Sequence, residues 1–455
     1  MSLAREFVSA LLALRRAIGE AQRAGSCLRI ADSVGIGLGA TAGEDTALQV
    51  VEALATGSNG GACGIFGQER RETPAAAAFA NSALVHVLDF DDIHDAARLH
   101  PTTVSLPAAL AAAQLAGASG AGVVDAVLLG DELMCRLGVT CAPKGTGPGS
   151  DWFLTQLFGY FGGALASGLV LGLSDDQLVS AFGLAYMQAA GGKQAGFGTG
   201  ATARAIYPAF ATMGGVQASL LARAGVRGPE GALDGAAGLF PVYFGAQATP
   251  AQRETLLETG TWHADAIQLK PWPSCRLSHP YVAAALALRR EAGPAQPARI
   301  EAHVNASAAK LCGPLAERRR PATLQDAKYS IPWMIAFTLV YGRVDLSVLG
   351  PAALADERVL ELAQRVEVWE TLPDRPGHPP ARIRVRTADG RHLESPADIE
   401  RVADGMGEEG ARGKFDACLA YAGLAPAQSE ALWTRLLALP SEPCVDFLFD
   451  AGARR

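Results

Sequence analysis

Apolar residues in the first 267 positions recur at three- and four-residue intervals, interrupted by glycine and proline and with almost no strict alternation. That spacing predicts one helix after another. Met1 to Glu20 reads as an amphipathic helix, because Arg5, Glu6, Arg15 and Arg16 are distributed among its apolar residues. Ser174-Asp-Asp-Gln177 is a capping box, in which serine and glutamine satisfy each other's backbone N–H groups ahead of the run Leu178 to Ala190. Thr249-Pro250-Ala251-Gln252 offers a capping threonine followed by a proline at the first helical position. Many of the 51 glycines fall in this half, which predicts helices packed closely enough that side-chain bulk must be removed at their contacts.

The pattern changes after about residue 268. Arg299 to Val304, Arg365 to Trp369 and Arg382 to Arg386 alternate apolar and polar residues with the two-residue period of half-buried strands, expected to be antiparallel. Asp389-Gly390 supplies a hairpin turn into His392-Leu-Glu. Helical stretches near 279–291, 325–341 and 354–364 would cover one face of the sheet. Beyond Ser395 helices return, at Lys414 to Ala422 and Pro426 to Leu439. The expected fold is mainly α, a large all-helical domain (1–267 and 398–455) with an inserted, smaller α+β lid domain (268–397).

Composition narrows the class without naming a function. With 49% hydrophobic and 19% charged residues the chain is globular, and a net charge of −7 gives no global attraction to nucleic acid. The charge-free stretches Pro101 to Val124 and Trp152 to Ser174 approach membrane-spanning length, but both are rich in glycine and alanine, the first is broken by Pro107 and Gly117-Ala-Ser-Gly120, and neither has flanking basic anchors, so buried core helices are expected. Eight scattered cysteines without a C-x-x-C pair, and a start lacking the apolar block of a signal peptide, suggest a reduced, cytoplasmic protein.

Three segments concentrate reactive groups. Asp89-Phe-Asp91-Asp92-Ile93-His94, followed by His100-Pro101, could perform acid–base chemistry, hold a divalent ion, or cap a helix running from Ala76 to Leu88 while pairing with Arg98. Its spacing fits no standard metal motif. Lys270-Pro-Trp-Pro-Ser-Cys275-Arg276-Leu-Ser-His279-Pro280 joins a rigid basic loop to a helix start, an arrangement suited to a carboxylate, although a domain hinge is the plain alternative. Cys275 serves such a pocket better as lining than as nucleophile, since no Cys–His–Asn logic accompanies it. The loop Gly191 to Gly200 matches no phosphate-binding motif, leaving Lys193 and the nearby Arg204 as further anion contacts or as solvated charges.

These same segments resemble the MmgE/PrpD family, which includes 2-methylcitrate dehydratases, cis-aconitate decarboxylases and iminodisuccinate epimerases. The resemblance rests on Asn81, His86, Asp89-Phe-Asp-Asp92, His94 and His100-Pro101. It extends to Lys270 to Pro280 with tryptophan for tyrosine, Leu220 to Gly225, Gly228-Pro229, the segment around Ser330, and Lys414-Phe415, and so covers most of the chain. It implies a homodimer and a site that needs no cofactor, metal or iron–sulfur cluster. The site would act on a small polycarboxylate, with neither nucleic acid nor membrane as partner. Asp89, His100 and Lys270 would be catalytic, while Arg204, Arg276 and Lys193 would hold carboxylates. Cys275 and His279 would shape the pocket, with Asp91, Asp92 and His94 behind it.

Three pocket positions depart from the family pattern. Ile93 stands where threonine is usual, Arg204 where lysine is usual and Trp333 where tyrosine is common. Each changes a hydrogen-bonding or proton-donating group, so a divergent substrate is expected, with a silent carboxylate binder as the alternative.

Overall fold

In the computed structural model, which describes residues 1–43, 45–55, 60–141, 151–196, 198–293, 295–374, 379–396 and 406–451, the helix-start signals fold as their chemistry dictates. Gln177 N–H donates to Ser174 Oγ at 3.3 Å while Ser174 N–H donates to Gln177 Oε1 at 3.0 Å, and Thr249 and Gln252 repeat the exchange. Helices make up 60% of the chain and strands 8%, so the fold is mainly α with a smaller α+β region. The chain divides into two compact units. One comprises Met1–Lys193, Ala205–Leu269 and Gly407–Arg455; the other comprises Gln194–Arg204 and Lys270–Met406. The expected boundary at 397 lies outside the described residues.

The first unit is built on α1 (Leu3–Arg16), α2 (Glu20–Ala40), α3 (Asp45–Ala55), α4 (Pro74–Val87), α5 (Thr102–Ala116), α6 (Gly120–Cys141), α7 (Leu154–Val170), α8 (Asp175–Tyr186) and α9 (Tyr207–Arg223), with Glu408–Tyr421 and Pro426–Leu437 near the C-terminus. It is not purely helical: β1 (Cys63–Gly64) and β2 (Arg71–Glu72) form a short antiparallel ribbon. Glycine permits the α7–α9 crossing, because a Cβ on Gly215 would lie 2.7 Å from the Ala164 nitrogen and 2.8 Å from the Gly163 carbonyl carbon. The charge-free stretches are buried core helices, and no helix among the described residues is long and apolar enough to cross a membrane. The expected break at Pro107 does not occur. Proline removes one internal hydrogen bond, but fully buried neighbours hold the helix on to Gly117, whose φ of 65° ends it.

In the second unit a four-stranded sheet runs in the order β4 (Val366–Glu370), β3 (Pro297–Val304), β5 (Arg382–Thr387), β6 (His392–Glu394). β3–β5 and β5–β6 are antiparallel as expected, but β3 and β4 are parallel, Ile300 facing Val366 and Val304 facing Glu370. The correction follows from connectivity: helices Ile331–Tyr341 and Glu357–Gln364 lie between the two strands in sequence, so the chain crosses over and re-enters the sheet in the same direction. Ile383 and Val385 point to the core with Ile300, Val366, Tyr281, Leu288, Phe337 and Val359, while Arg384 and Arg386 point outward. The single helix expected over 325–341 divides into Leu324–Lys328 and Ile331–Tyr341, because Ser330 Oγ accepts the Trp333 N–H at 3.1 Å and starts a new helix.

Candidate active site

The Asp-rich segment of the first unit begins where α4 ends. Asp89 adopts φ 53°, the left-handed conformation usually left to glycine at a helix end, at a cost of roughly 1 kcal/mol. The turn sends Phe90 toward the C-terminal helix, where Lys414 Nζ donates to the Phe90 carbonyl at 2.7 Å, pairs with Asp32 at 2.8 Å and lies 4.0 Å from the Phe90 ring centroid. Ile93 and Gln268 exchange backbone hydrogen bonds of 2.9 and 2.8 Å, tying the turn to the end of the helical segment. Asp89, Asp91, Asp92, Ile93 and His94 are all buried.

The two histidines of this segment occupy opposite situations. His94 Nδ1 accepts the Ala97 N–H at 3.1 Å, so the neutral ring carries its proton on Nε2 and donates to the His263 carbonyl at 3.1 Å. Burial, followed by the nearby His263, lowers its pKa and keeps this ring a neutral brace. His100 Nδ1 lies 2.6 Å from the Asp92 carbonyl and 3.5 Å from Asp91 Oδ2, so Nδ1 carries the proton and Nε2 is the basic nitrogen of the neutral ring. The His100 side chain is 14% exposed, and its backbone N–H donates to Thr155 Oγ1 at 3.0 Å.

Behind His100 lies a histidine that residue chemistry alone did not single out. His86 on α4 donates from Nδ1 to Asp91 Oδ2 at 2.7 Å and meets the rings of His100 and Tyr207 edge-on at 5.2 and 4.9 Å. Tyr207 stacks on Phe153 at 4.3 Å, and Lys193 Nζ lies 5.9 Å from that phenylalanine ring. His86, Asp91 and His100 bring ligand-type atoms within 4.8 Å of one another, near enough to share a cation. The hydrogen bonds use those atoms differently, since an Nδ1 that donates to a carbonyl has no lone pair to offer a metal.

Farther inside, Asp92 and Asp131 of α6 both contact the Thr102 hydroxyl, and Asp131 also receives Ser105 Oγ and, at 3.3 Å, Arg29 Nε. Burial raises both carboxyl pKa values, Asp92 well above the usual range; for Asp92 the neighbouring Asp131 adds to the effect. Charged residues within otherwise apolar helices, such as Arg29, Asp32, Asp131 and Glu132, were the sequence signal for this network.

In the second unit the Lys270–Pro280 segment is largely buried, with Lys270 at 1%, Arg276 at 7% and His279 at 0% exposure. His279 Nε2 donates to the Ser274 carbonyl at 3.1 Å, and its ring meets Trp272 edge-on. Ser278 does not cap the helix His279–Ala292 through its side chain; its hydroxyl donates to the Cys275 carbonyl at 2.7 Å. Cys275 N–H donates to the carbonyl of Lys328, itself buried. Arg204 lies flat on Tyr329 at 3.4 Å, and Trp333 is fully buried against Phe337. Arg318, also unforeseen, donates to the Gly313, Tyr329 and Gly198 carbonyls, and burial together with the nearby Arg204 lowers its pKa. This unit thus gathers five cations, Lys270, Arg276, Arg318, Lys328 and Arg204, within or beside its core. Elsewhere burial pushes the Cys27 and Cys63 thiols up to about 11 and the Cys312 and Cys418 thiols up to about 12, which makes them inert.

The helical unit holds a buried Asp–His turn, and the α+β unit holds buried cations. The sequence profile of the MmgE/PrpD N-terminal domain matches residues 16–252 and that of the MmgE/PrpD C-terminal domain matches residues 272–437, so the chain belongs to the MmgE/PrpD family. It is 29% identical over 332 residues to a cis-aconitate decarboxylase of Aspergillus terreus, a match covering 68% of this chain and 64% of that protein. It is 31% identical over 360 residues to a cis-aconitate decarboxylase-like protein of Aspergillus oryzae, covering 73% of each. The cis-aconitate decarboxylase of Mus musculus is 26% identical over 357 residues, covering 76% of this chain and 71% of that protein.

Proposed function

We propose that this chain is a cofactor-free lyase or isomerase acting on a small di- or tricarboxylate. The observation that carries the reading is the tautomer of His100: with Nδ1 donating to the Asp92 carbonyl, the lone pair of the neutral ring is on Nε2, the nitrogen that acts as a general base. In this reading Asp89 and His100 take or return the proton beside a carboxylate. Lys270, Arg276 and Arg204 hold the carboxylates and stabilise the negative charge that develops, and Lys193 adds a further contact. In the same reading Cys275, His279, Ile93 and Trp333 line the substrate site, and Asp91, Asp92 and His94 support it. The relatives named as cis-aconitate decarboxylases support a lyase that acts on a small carboxylate. A homodimer in the cytoplasm is the assembly that goes with it.

Ile93 favours a second reading. An apolar side chain replaces a usual hydroxyl at a buried position, 5% exposed, so a polar substrate group there would go unpaired. A protein that binds polycarboxylates without turning them over would tolerate this. Incubation with a panel including cis-aconitate and 2-methylcitrate in deuterated buffer, followed by proton NMR, separates the two: turnover or exchange supports the enzyme, and thermal stabilisation alone supports the binder. Lys270→Ala is expected to reduce kcat/KM by about 10²–10³ on the preferred acid; unchanged kinetics removes Lys270 from the site.

A further inference from the structure

The Thr102 hydroxyl contacts Oδ2 of Asp92 and lies 3.0 Å from Oδ2 of Asp131. A hydroxyl has one proton. It can donate to one carboxylate, and the second contact is a hydrogen bond only if that carboxyl brings a proton of its own. Asp131 is the better anion, since Ser105 Oγ serves its Oδ1 and the Arg29 guanidinium its Oδ2. Asp92 is fully buried, and its Oδ1 has no hydrogen-bond partner among the described residues. The proton therefore belongs to Asp92, which donates to Thr102, which donates to Asp131, which pairs with Arg29.

We propose that Asp92 is a neutral carboxylic acid at neutral pH, fixed by Thr102 and Asp131, and that it is a positioning residue whose own carbonyl sets the tautomer of His100. That carbonyl accepts the His100 Nδ1 proton at 2.6 Å. Ionised, Asp92 would oppose two like charges in a dry interior, Asp131 on α6 and the adjacent Asp91, and the turn carrying the carbonyl would be driven out of place. Among the described residues it is also faced by Arg29 on α2, by His100 at its carbonyl and by Cys135 on α6, whose burial raises the thiol pKa and keeps it neutral. The neutral acid stands apart from any activity, whereas its value in turnover rests on the reading of His100 as the base.

The experiment compares the full chain with Asp92→Asn, which imitates the protonated acid. Infrared difference spectra at about pH 7 should show a protonated-carboxyl band that Asp92→Asn lacks; no difference overturns the proposal. The wild type keeps a proton that its unfolded chain releases above about pH 4, so its stability falls as pH rises. Asp92→Asn lacks that fall. Its urea midpoint should therefore gain on the wild type from about pH 5 to about pH 8, and parallel curves overturn the proposal. If the variant fails to fold, carboxyl ¹³C titration of the wild type decides, since an aspartate signal held at the protonated position over that range is required. For positioning, imidazole ¹⁵N shifts should report the Nδ1-protonated His100 in wild type and Asp92→Asn but a changed tautomer mixture in Asp92→Ala; identical spectra overturn that role. Absence of turnover by the wild type would sink the lyase reading and leave these spectroscopic results standing.

Discussion

The carboxyl groups of the Asp-rich turn and those at the surface of the α+β unit are chemically the same and are held in opposite states. On the outside, Arg299 grips Glu367 with bonds of 2.8 and 2.6 Å and lowers its pKa, and Arg358 beside Asp356 takes that carboxyl down to about 2. Inside, Asp92 and Asp131 are driven the other way by burial. Donors and solvent access decide protonation, so the number of acids in a segment says little about its charge.

The contrast can be broken at its strongest point by His100→Asn, expected to lower turnover of the preferred polycarboxylate by about 10²–10⁴ with folding intact by circular dichroism. A rate within a factor of about two would remove His100 from the chemistry. Next in size, Asp131→Ala leaves the Arg29 guanidinium buried without its carboxylate and should cost about 3–5 kcal/mol in urea unfolding. The surface side of the comparison predicts far less. Arg299→Ala should leave the unfolding midpoint unchanged within error, because an exposed pair is well solvated when separated. Asp356, with a folded pKa of about 2 against 3.8, contributes stability that is present above about pH 4 and is lost as pH falls through about 2. Asp356→Asn should flatten that acid limb slightly in a midpoint-against-pH series.

Local rules carried the reading of the fold a long way. Capping boxes at Ser174 and Thr249 and the two-residue alternation of β5 are decided by neighbours in sequence, and each appears in the structure. The parallel partner of β3 was not legible, since strand direction depends on the intervening crossover rather than on either strand's own pattern. Pro107 misled because a rule about isolated helices was overridden by tertiary burial. In the candidate site, Asp91, Asp92 and His100 stood out by density, and the structure joins them through hydrogen bonds. His86 is marked only by the family resemblance, and Arg29 and Asp131 only as charges in apolar helices; their joining with Thr102 is not legible in sequence, because the four residues come from four different helices that only packing assembles.

Lys414 reaches back across 324 positions to hold the Phe90 carbonyl. On a ribosome this contact cannot form until Lys414 has emerged, so the Asp-rich turn must wait for the helix Glu408–Tyr421 before it acquires this anchor. A protein assembled in that order gains its reactive groups late, and an incompletely synthesised chain would carry those acids without the lysine that ties them down.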